Sequence, residues 1–171
     1  MSRRLKAYLS HDMIGFENMN IYERGYTNLK ISTRGRYSLR MMIDLAQHYN
    51  EGYIALKDIS TRQNISKKYL EQIVPFLNRS NLLNANKGHM GGYQLSRQPS
   101  SITVREILEC AEGSLTPVSC MDNTPNNCES SGECLTLPIY KGLYDVILKY
   151  LDGITLMDVI DNQADNCEYY I

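Results

Sequence analysis

The sequence predicts a mainly α-helical fold with one small β-hairpin, and three observations support that prediction. Apolar residues recur every three or four positions in several segments, which is typical of amphipathic helices. A short helical segment and a longer one are separated by only three residues, 64–66, and a hairpin with a glycine-rich tip follows them. This order predicts a winged helix-turn-helix, with a further long amphipathic helix on its C-terminal side.

The composition indicates a soluble globular protein. The chain has 171 residues, of which 43% are hydrophobic and 22% charged, so it can bury the core of one ordinary domain. No run approaches the ~18 apolar residues of a membrane span, and no apolar stretch of the secretory type follows the basic N-terminus. We therefore expect a cytoplasmic protein. Residues 1–29 lack a period and are expected to form a weakly ordered extension, with Leu29 a candidate natural start.

The first predicted helix begins at a Ser32-Thr33 cap and runs to about Tyr49. Three arginines crowd its first two turns, where the helix dipole favours acidic side chains. Their position therefore indicates a role other than helix stability. These residues are Arg34, Arg36 and Arg40.

The next segment is the predicted helix-turn-helix. Helices are expected over Leu56–Gln63 and over 67–79, with Ser66 as the cap of the second helix. Pro75 removes one backbone bond from the second helix and is expected to kink it, sparing the N-terminal half. A hairpin then follows, with strands near 83–86 and 93–95, and its tip presents Lys87 and His89.

Two helix-starting signals organise the C-terminal part. Thr103 and Glu106 form a capping box that opens a helix to about Glu112, and Thr155 with Asp158 opens a short last helix to about residue 162. Between them we expect a loop over 114–135 and a long amphipathic helix over 137–151. The predicted organisation is an extension (1–29), a winged head (30–113), a cysteine loop (114–135), a helical part (136–162) and a polar tail (163–171).

Charge is distributed unevenly along the chain, although the net charge is only −1. Residues 30–97 contain eleven Lys and Arg against four acids, whereas residues 98–171 contain three against twelve. A basic half beside an acidic half suggests that one part meets a polyanion. The other interpretation is that these charges only cover solvated faces.

A helix-turn-helix reads DNA through the first turns of its second helix, so its polar residues are candidate contacts. Basic residues on the first helix and at the wing are candidates for phosphate or minor-groove contacts. A winged helix that serves only as a protein-interaction module is the alternative. The predicted DNA contacts are Arg34, Arg36, Arg40, Arg62, Ser66, Lys67, Lys68, Tyr69, Glu71, Gln72, Lys87 and His89.

Three of the five cysteines lie close together in the predicted loop, as Cys120, Cys128 and Cys134. Three thiolates in a turn-rich segment can hold an Fe–S cluster or zinc, whereas reduced thiols or a redox pair remain alternatives. The remaining cysteines are Cys110, in a predicted helix, and Cys167, in the tail, and each is expected to be a buried thiol or a bystander instead of a ligand. Oxygen candidates for a fourth ligand are Asp122, Glu129 and Glu133.

Residues 30–162 resemble the winged-helix iron–sulfur cluster regulators of the IscR and NsrR type. The resemblance implies a homodimer held by the long C-terminal helices and a near-palindromic DNA operator. It also implies a [2Fe–2S] or [4Fe–4S] cluster on the three cysteines. The matching stretches are 30–37, 65–72, 87–93, 102–107 and the cysteine loop.

The chain departs from that family at both positions that supply a fourth ligand. Leu137 falls where one type has histidine, and Arg36 falls where the other has aspartate, so the cluster type stays open. The first gap between cysteines is also two residues longer. A branch of relatives lacks the cysteines and regulates cysteine metabolism through a partner enzyme, and the three cysteines argue against that branch.

Together these features predict a dimeric DNA-binding regulator, acting as a repressor. Its affinity for the operator would respond to the cluster and so to iron–sulfur status, redox state or nitric oxide. A metal-free disulfide switch and a structural-zinc regulator are the alternatives. The sequence contains no catalytic triad pattern, phosphate loop or zincin motif, and we do not expect an enzyme.

Overall fold

The computed structural model describes residues 30–88, 91–122 and 132–167. The predictions made for residues 1–29, for His89, for Cys128 and for Glu129 lie outside these described residues. Side chains are described as far as residue 162.

The described residues form six α-helices and a two-stranded antiparallel hairpin, which confirms the predicted fold class. None of these helices is long and apolar enough to span a membrane. The elements are α1 (Thr33–Gln47), α2 (Leu56–Gln63), α3 (Lys67–Arg79), β1 (Leu83–Asn86), β2 (Gly92–Leu95), α4 (Val104–Glu112), α5 (Leu137–Asp152) and α6 (Leu156–Cys167).

Helix α1 is the centre of the winged head. The Ser32 hydroxyl accepts a hydrogen bond from the Gly35 backbone N–H at 3.1 Å, which is the predicted cap. Its buried face packs against α2, α3, α4 and α6, and Met41, Met42 and Leu45 are almost fully buried there. The helix ends two residues earlier than predicted, at Gln47, and a 3₁₀ turn over Tyr49–Glu51 follows. The His48 ring contacts the Asp44 carbonyl oxygen, and Gly52 then reverses the chain with φ 80°.

The turn between α2 and α3 depends on Asn64, whose left-handed conformation (φ 50°) ends α2. The Ser60 hydroxyl donates to the Ile65 carbonyl oxygen at 2.6 Å, which fixes the turn from the other side. Helix α3 then begins at Ser66 and stays helical through Pro75. Buried residues on both sides of the proline hold the helix against the core; these are Leu70, Ile73, Val74 and Leu77.

The wing is the hairpin β1–β2, in which Leu83 pairs with Leu95 and Asn86 with Gly92. Ile54 forms a bridge to Tyr93, with backbone hydrogen bonds of 2.9 Å in both directions. A Cβ atom at Gly92 would collide with the Ile54 backbone, so glycine allows this close approach. The base of the wing is thereby attached to the segment before α2.

The C-terminal helices join the head through α4. The predicted capping box is present, because the Thr103 hydroxyl accepts from the Glu106 N–H and the Glu106 carboxylate accepts from the Thr103 N–H. Arg105 on α4 donates to Asp152 at the end of α5 at 2.7 Å and to Glu109 at 2.8 Å, and these carboxylates raise its pKa. Helix α4 also packs against α1, so it contacts both α1 and α5.

Helix α6 begins at the second predicted capping box and extends to Cys167, five residues beyond its expected end. The apolar period ends near Ile160, which is why the sequence predicted a shorter helix. Nothing in residues 161–167 breaks a helix, because neither glycine nor proline occurs there. The first residues of the predicted tail are thus helical.

Candidate DNA interface and cysteine loop

The N-terminal half of α3 presents an exposed polar surface. Ser66 caps the helix by accepting from the Tyr69 N–H at 3.3 Å, and Lys67, Lys68 and Gln72 are exposed. The Lys67 ammonium lies 3.5 Å from a Glu71 carboxylate oxygen, one turn along an exposed face. An exposed pair of this kind contributes little to stability, so both side chains are available to a ligand.

Helix α1 places its first arginines beside this surface. The Arg34 guanidinium lies 4.8 Å from the centre of the Phe76 ring, and the two residues line a cleft with Tyr69 and Gln72 of α3. The buried Nε of Arg34 has no hydrogen-bond partner among the described residues. Arg36 is exposed and donates to the Thr33 hydroxyl at 3.2 Å. The predicted phosphate contacts of α1 therefore lie next to the predicted base contacts of α3.

Arg40 is exposed, but its guanidinium is held in place. Its Nε donates to the Gln63 side-chain oxygen at 3.2 Å, and its Nη2 donates to the Gln63 backbone oxygen. The guanidinium also lies 5.7 Å from the centre of the Tyr37 ring. Tyr37 in turn packs edge-to-face against Tyr69 of α3, with ring centres 5.3 Å apart.

Arg62 has a structural partner instead of pointing freely to solvent. Its guanidinium makes a two-point contact with Asp44, at 2.6 and 3.0 Å, and this contact is the main cause of the raised pKa of Arg62. Asp44 is only 1% exposed and also accepts from the Gln63 amide at 3.1 Å. A buried carboxylate needs such a partner, so the position of Arg62 is explained without DNA. Its predicted contact with DNA stays a prediction.

The carboxylate at the N-terminus of α1 belongs to a residue from a distant part of the chain. Its own first turn contains none, but the Glu112 carboxylate at the end of α4 accepts from the Ser32 N–H at 2.9 Å. A Cβ atom at Gly35 would overlap that carboxylate and approach the Ile31 side chain. The carboxylate offsets the helix dipole beside the arginines.

The loop after α4 begins with a small hydrogen-bonded cluster. Asp122 accepts hydrogen bonds from the hydroxyls of Thr116 and Ser114, the latter at 2.7 Å, and these bonds lower its pKa. Cys120 lies in the 3₁₀ turn between these residues, and it is exposed with a free thiol. Both hydroxyls bond the same oxygen of Asp122, Oδ1, so Asp122 holds the first part of the loop together. Its candidacy as an oxygen ligand stays a prediction.

Cys134 lies at the other end of the loop, just before α5. Its sulfur is 3.3 Å from the Thr136 hydroxyl, and this contact, with the backbone N–H groups of Thr136 and Leu137, lowers the pKa of the thiol. The thiolate is the form that binds metals. Cys110 is a free thiol packed against the main core instead.

The described residues do not by themselves complete a metal centre. Within 30–88, 91–122 and 132–167, no three His, Cys, Asp or Glu side chains come close enough to hold an ion. Two of the three predicted ligands are described, as free thiols within the segment between α4 and α5, and the third is Cys128. Soft, unpaired thiols of this kind fit iron or zinc chemistry.

Helix α5 has two apolar faces. Tyr144, Leu148 and Leu151 pack against a small cluster with Val104 and Leu108 of α4. The opposite face is exposed, with Ile139 at 68% and Val146 at 61% exposure, and Leu143 and Tyr150 continue it. A contiguous exposed apolar stripe of this kind marks an interaction surface.

The head, the wing and the basic surface define a winged helix-turn-helix DNA-binding protein. Residues 31–162 match the family model of Rrf2, described as an iron-dependent transcriptional regulator, and the chain belongs to the Rrf2 family. The predicted family resemblance is therefore confirmed. The chain is a transcriptional regulator, and its relatives are named as regulators and not as enzymes.

Two relatives illustrate the similarity. The HTH-type transcriptional regulator ORF2 of Azotobacter vinelandii is 38% identical over 132 residues, covering 77% of this chain and 79% of the relative. The HTH-type transcriptional regulator IscR of Photorhabdus laumondii is 34% identical over 135 residues, covering 79% of this chain and 81% of the relative.

A solved CymR structure and a solved IscR structure resemble this chain to a similar degree. CymR, the global cysteine regulator of B. subtilis, matches with a TM-score of 0.63 and 36% identity, over 79% of this chain and 98% of CymR. IscR of T. potens matches with a TM-score of 0.63 and 35% identity, over 81% of this chain and 91% of that protein. The similarity of the fold therefore does not decide whether the chain is more like CymR or more like IscR.

Several residues around the site were not identified from the sequence. The sequence places Tyr37 in the apolar period of the first helix, and it gives no sign that Gln63 and Glu112 contact residues of the site. Asp44 offered one, because it is an acidic residue on the apolar face of a predicted helix, where a charge requires a partner.

Proposed function

We propose that this chain is a dimeric regulator whose affinity for DNA is controlled by an Fe–S cluster held by Cys120, Cys128 and Cys134. The observation that supports it best is the position of the thiols: Cys120 and Cys134 are free and both lie in the segment that joins α4 to α5, Cys120 in its 3₁₀ turn and Cys134 just before α5. The family description as iron-dependent supports a role for iron. A DNA-binding regulator of this kind would act as a repressor in the cytoplasm.

The proposed DNA contacts are the twelve predicted residues, of which eleven are described. Glu71 and the other predicted contacts of α3 apart from Lys67 would read base edges, and Lys67, the contacts on α1 and the exposed Lys87 would contact phosphates. Two copies would read a near-palindromic operator, since a two-fold protein matches a two-fold site.

The second copy would pack on the exposed stripe of α5. Burial of about 25 cal/mol per Å² of apolar surface favours association, and the side chains of this stripe are large. Helix α4 packs against α1 and is joined to α5 through Arg105, so the spacing of two heads depends on how α4 and α5 are held.

The cluster, when bound, would be held by the sulfurs of Cys120, Cys128 and Cys134 and so would restrain the segment that contains them. Neighbouring residues hold the two described thiols in position. The hydrogen bonds of Asp122 fix the loop near Cys120, and Thr136 contacts the Cys134 sulfur at the start of α5. Half-sites must match the separation of the two heads to a fraction of a helical turn. A coupling of about 1–3 kcal/mol would change the affinity for DNA about 5- to 150-fold.

Iron and sulfide analysis of the anaerobically purified chain tests this proposal. We expect iron, acid-labile sulfide and a visible absorption band in the wild-type protein. Single Cys→Ala substitutions at 120, 128 and 134 should abolish them, whereas the matched control Cys110→Ala should keep them, because Cys110 is packed in the core.

Other results would select the alternatives. Zinc without sulfide indicates a structural-zinc regulator. A metal-free protein in which mass mapping finds a disulfide among the three cysteines after oxidation indicates a thiol switch. Either result overturns the cluster proposal.

A further inference from the structure

Two predicted DNA contacts, Arg40 and Tyr69, are connected through a residue that is not itself among the predicted contacts. Tyr37 lies between them: its ring packs edge-to-face against Tyr69 at 78°, and the Arg40 guanidinium lies 5.7 Å from its centre. Tyr37 is half-buried against the main core, so its ring has little freedom to move. An immobile ring can hold both neighbours in place.

Gln63 holds Arg40 from the other side. Its side-chain oxygen accepts from Arg40 Nε at 3.2 Å, while its amide donates to the buried Asp44 at 3.1 Å. Gln63 is therefore anchored to a carboxylate that is itself fixed by Arg62. Arg40 is an exposed side chain with an unusually constrained guanidinium.

We propose that Tyr37 and Gln63 are positioning residues that fix Arg40 and Tyr69 for DNA before DNA binds. This proposal rests on the proposed DNA contacts of Arg40 and Tyr69. An arginine normally loses rotamer freedom when it binds a phosphate, which weakens binding. A guanidinium that is already held between a ring and an amide oxygen loses less rotamer freedom when it binds a phosphate.

Duplex binding as a function of salt concentration tests the proposal. The probe is a duplex selected by the wild-type full-length chain from a random library. We compare Tyr37→Leu with Tyr37→Phe, which keeps the ring, and each is also made with Arg40→Ala. Because Tyr37→Leu removes half-buried packing, Gln63→Met provides a second test that keeps the Tyr37 ring. It also removes one hydrogen bond to Asp44, which Arg62 still contacts at two points, so the unfolding free energy of each variant is measured beside its affinity.

We expect Tyr37→Leu to weaken binding about three- to tenfold. Its slope of log K against log salt should fall by up to about 0.9 per protomer, as expected when one phosphate contact is lost. Tyr37→Phe should behave as wild type. In the Arg40→Ala background, Tyr37→Leu should leave the salt slope unchanged. Gln63→Met should act in the same direction with smaller size, because the Gln63 backbone oxygen still accepts from Arg40.

The outcomes distinguish an error in the proposed DNA contact of Arg40 from an error in the proposed positioning by Tyr37 and Gln63. If Arg40→Ala leaves the salt slope unchanged, the proposed phosphate contact of Arg40 is wrong. If Arg40→Ala lowers the slope but neither Tyr37→Leu nor Gln63→Met does, the positioning proposal is overturned. Equal losses from Tyr37→Leu with and without Arg40 also overturn it, since they indicate a merely structural role.

Discussion

The backbone N–H of Ser32 donates a 2.9 Å hydrogen bond to the carboxylate of Glu112, 80 residues later in the chain. This contact joins the start of α1, where the arginines lie, to the end of α4, directly before the cysteine loop. The basic and acidic parts of the chain are thus in direct contact here. A carboxylate at a helix N-terminus stabilises the helix by about 0.3–1 kcal/mol, and more when it is partly buried.

We predict that Gly35→Ala destabilises the protein by about 1 kcal/mol. Alanine normally favours a helix over glycine by about 0.5–1 kcal/mol, but here its Cβ would displace the Glu112 carboxylate from Ser32. Urea unfolding measures the effect. In a Glu112→Ala background this loss of unfolding free energy should disappear, so that Gly35→Ala becomes neutral or stabilising. A stabilising effect in the wild-type background would show that the contact contributes nothing.

We predict that Arg62→Ala costs about 2–3 kcal/mol of unfolding free energy. The substitution leaves the buried Asp44 carboxylate without its main partner, and breaking a buried pair costs about 3–5 kcal/mol, reduced here because the Arg62 side chain is 35% exposed. The matched control is Arg36→Ala, which removes an exposed arginine from α1 and should cost less than about 0.5 kcal/mol. Similar stabilities for the two variants would contradict this assignment.

Much of this architecture could be predicted from the sequence, because its signals are local. The Ser66 cap, the turn at 64–66, the glycine-rich wing and the Thr103 capping box depend on neighbours within a few residues. The contacts that join the elements could not be predicted: Glu112 with Ser32, Tyr37 with Tyr69 and Arg40 with Gln63 bring together residues whose own segments give no sign of the partner. The extra helix at 163–167 was missed because an apolar period predicts burial, and a helix can continue where it is solvated.

Substitutions on α3 should separate base reading from phosphate binding. We predict that Lys67→Ala weakens all duplexes alike and lowers the salt slope, whereas Glu71→Ala relaxes preference at one base pair, worth about 1–3 kcal/mol. Lys67 and Glu71 lie 3.5 Å apart, so the double variant is needed to remove their mutual effect. Binding to a panel of single-base operator variants measures the difference. Uniform loss in both variants would refute this division of roles.

The exposed stripe of α5 should hold the dimer together. We predict that Val146→Glu converts the protein to a monomer that stays folded, because Val146 is 61% exposed and contributes little to the core of its own chain. Sedimentation analysis with circular dichroism measures both properties. The control is Lys141→Glu, which adds negative charge to the same helix at an exposed position away from the stripe. An unchanged sedimentation coefficient for Val146→Glu would place the interface elsewhere.

The central claim is that the three cysteines govern the affinity of the winged head for DNA. Its most direct test is the dissociation constant for the selected duplex, measured anaerobically before and after removal of iron, in the wild type and in the triple Cys→Ala variant at 120, 128 and 134. We predict a change of about 5- to 150-fold on iron removal in the wild type and none in the triple variant. Equal affinities for all four preparations would contradict the claim and leave a DNA-binding protein without a cysteine-dependent switch.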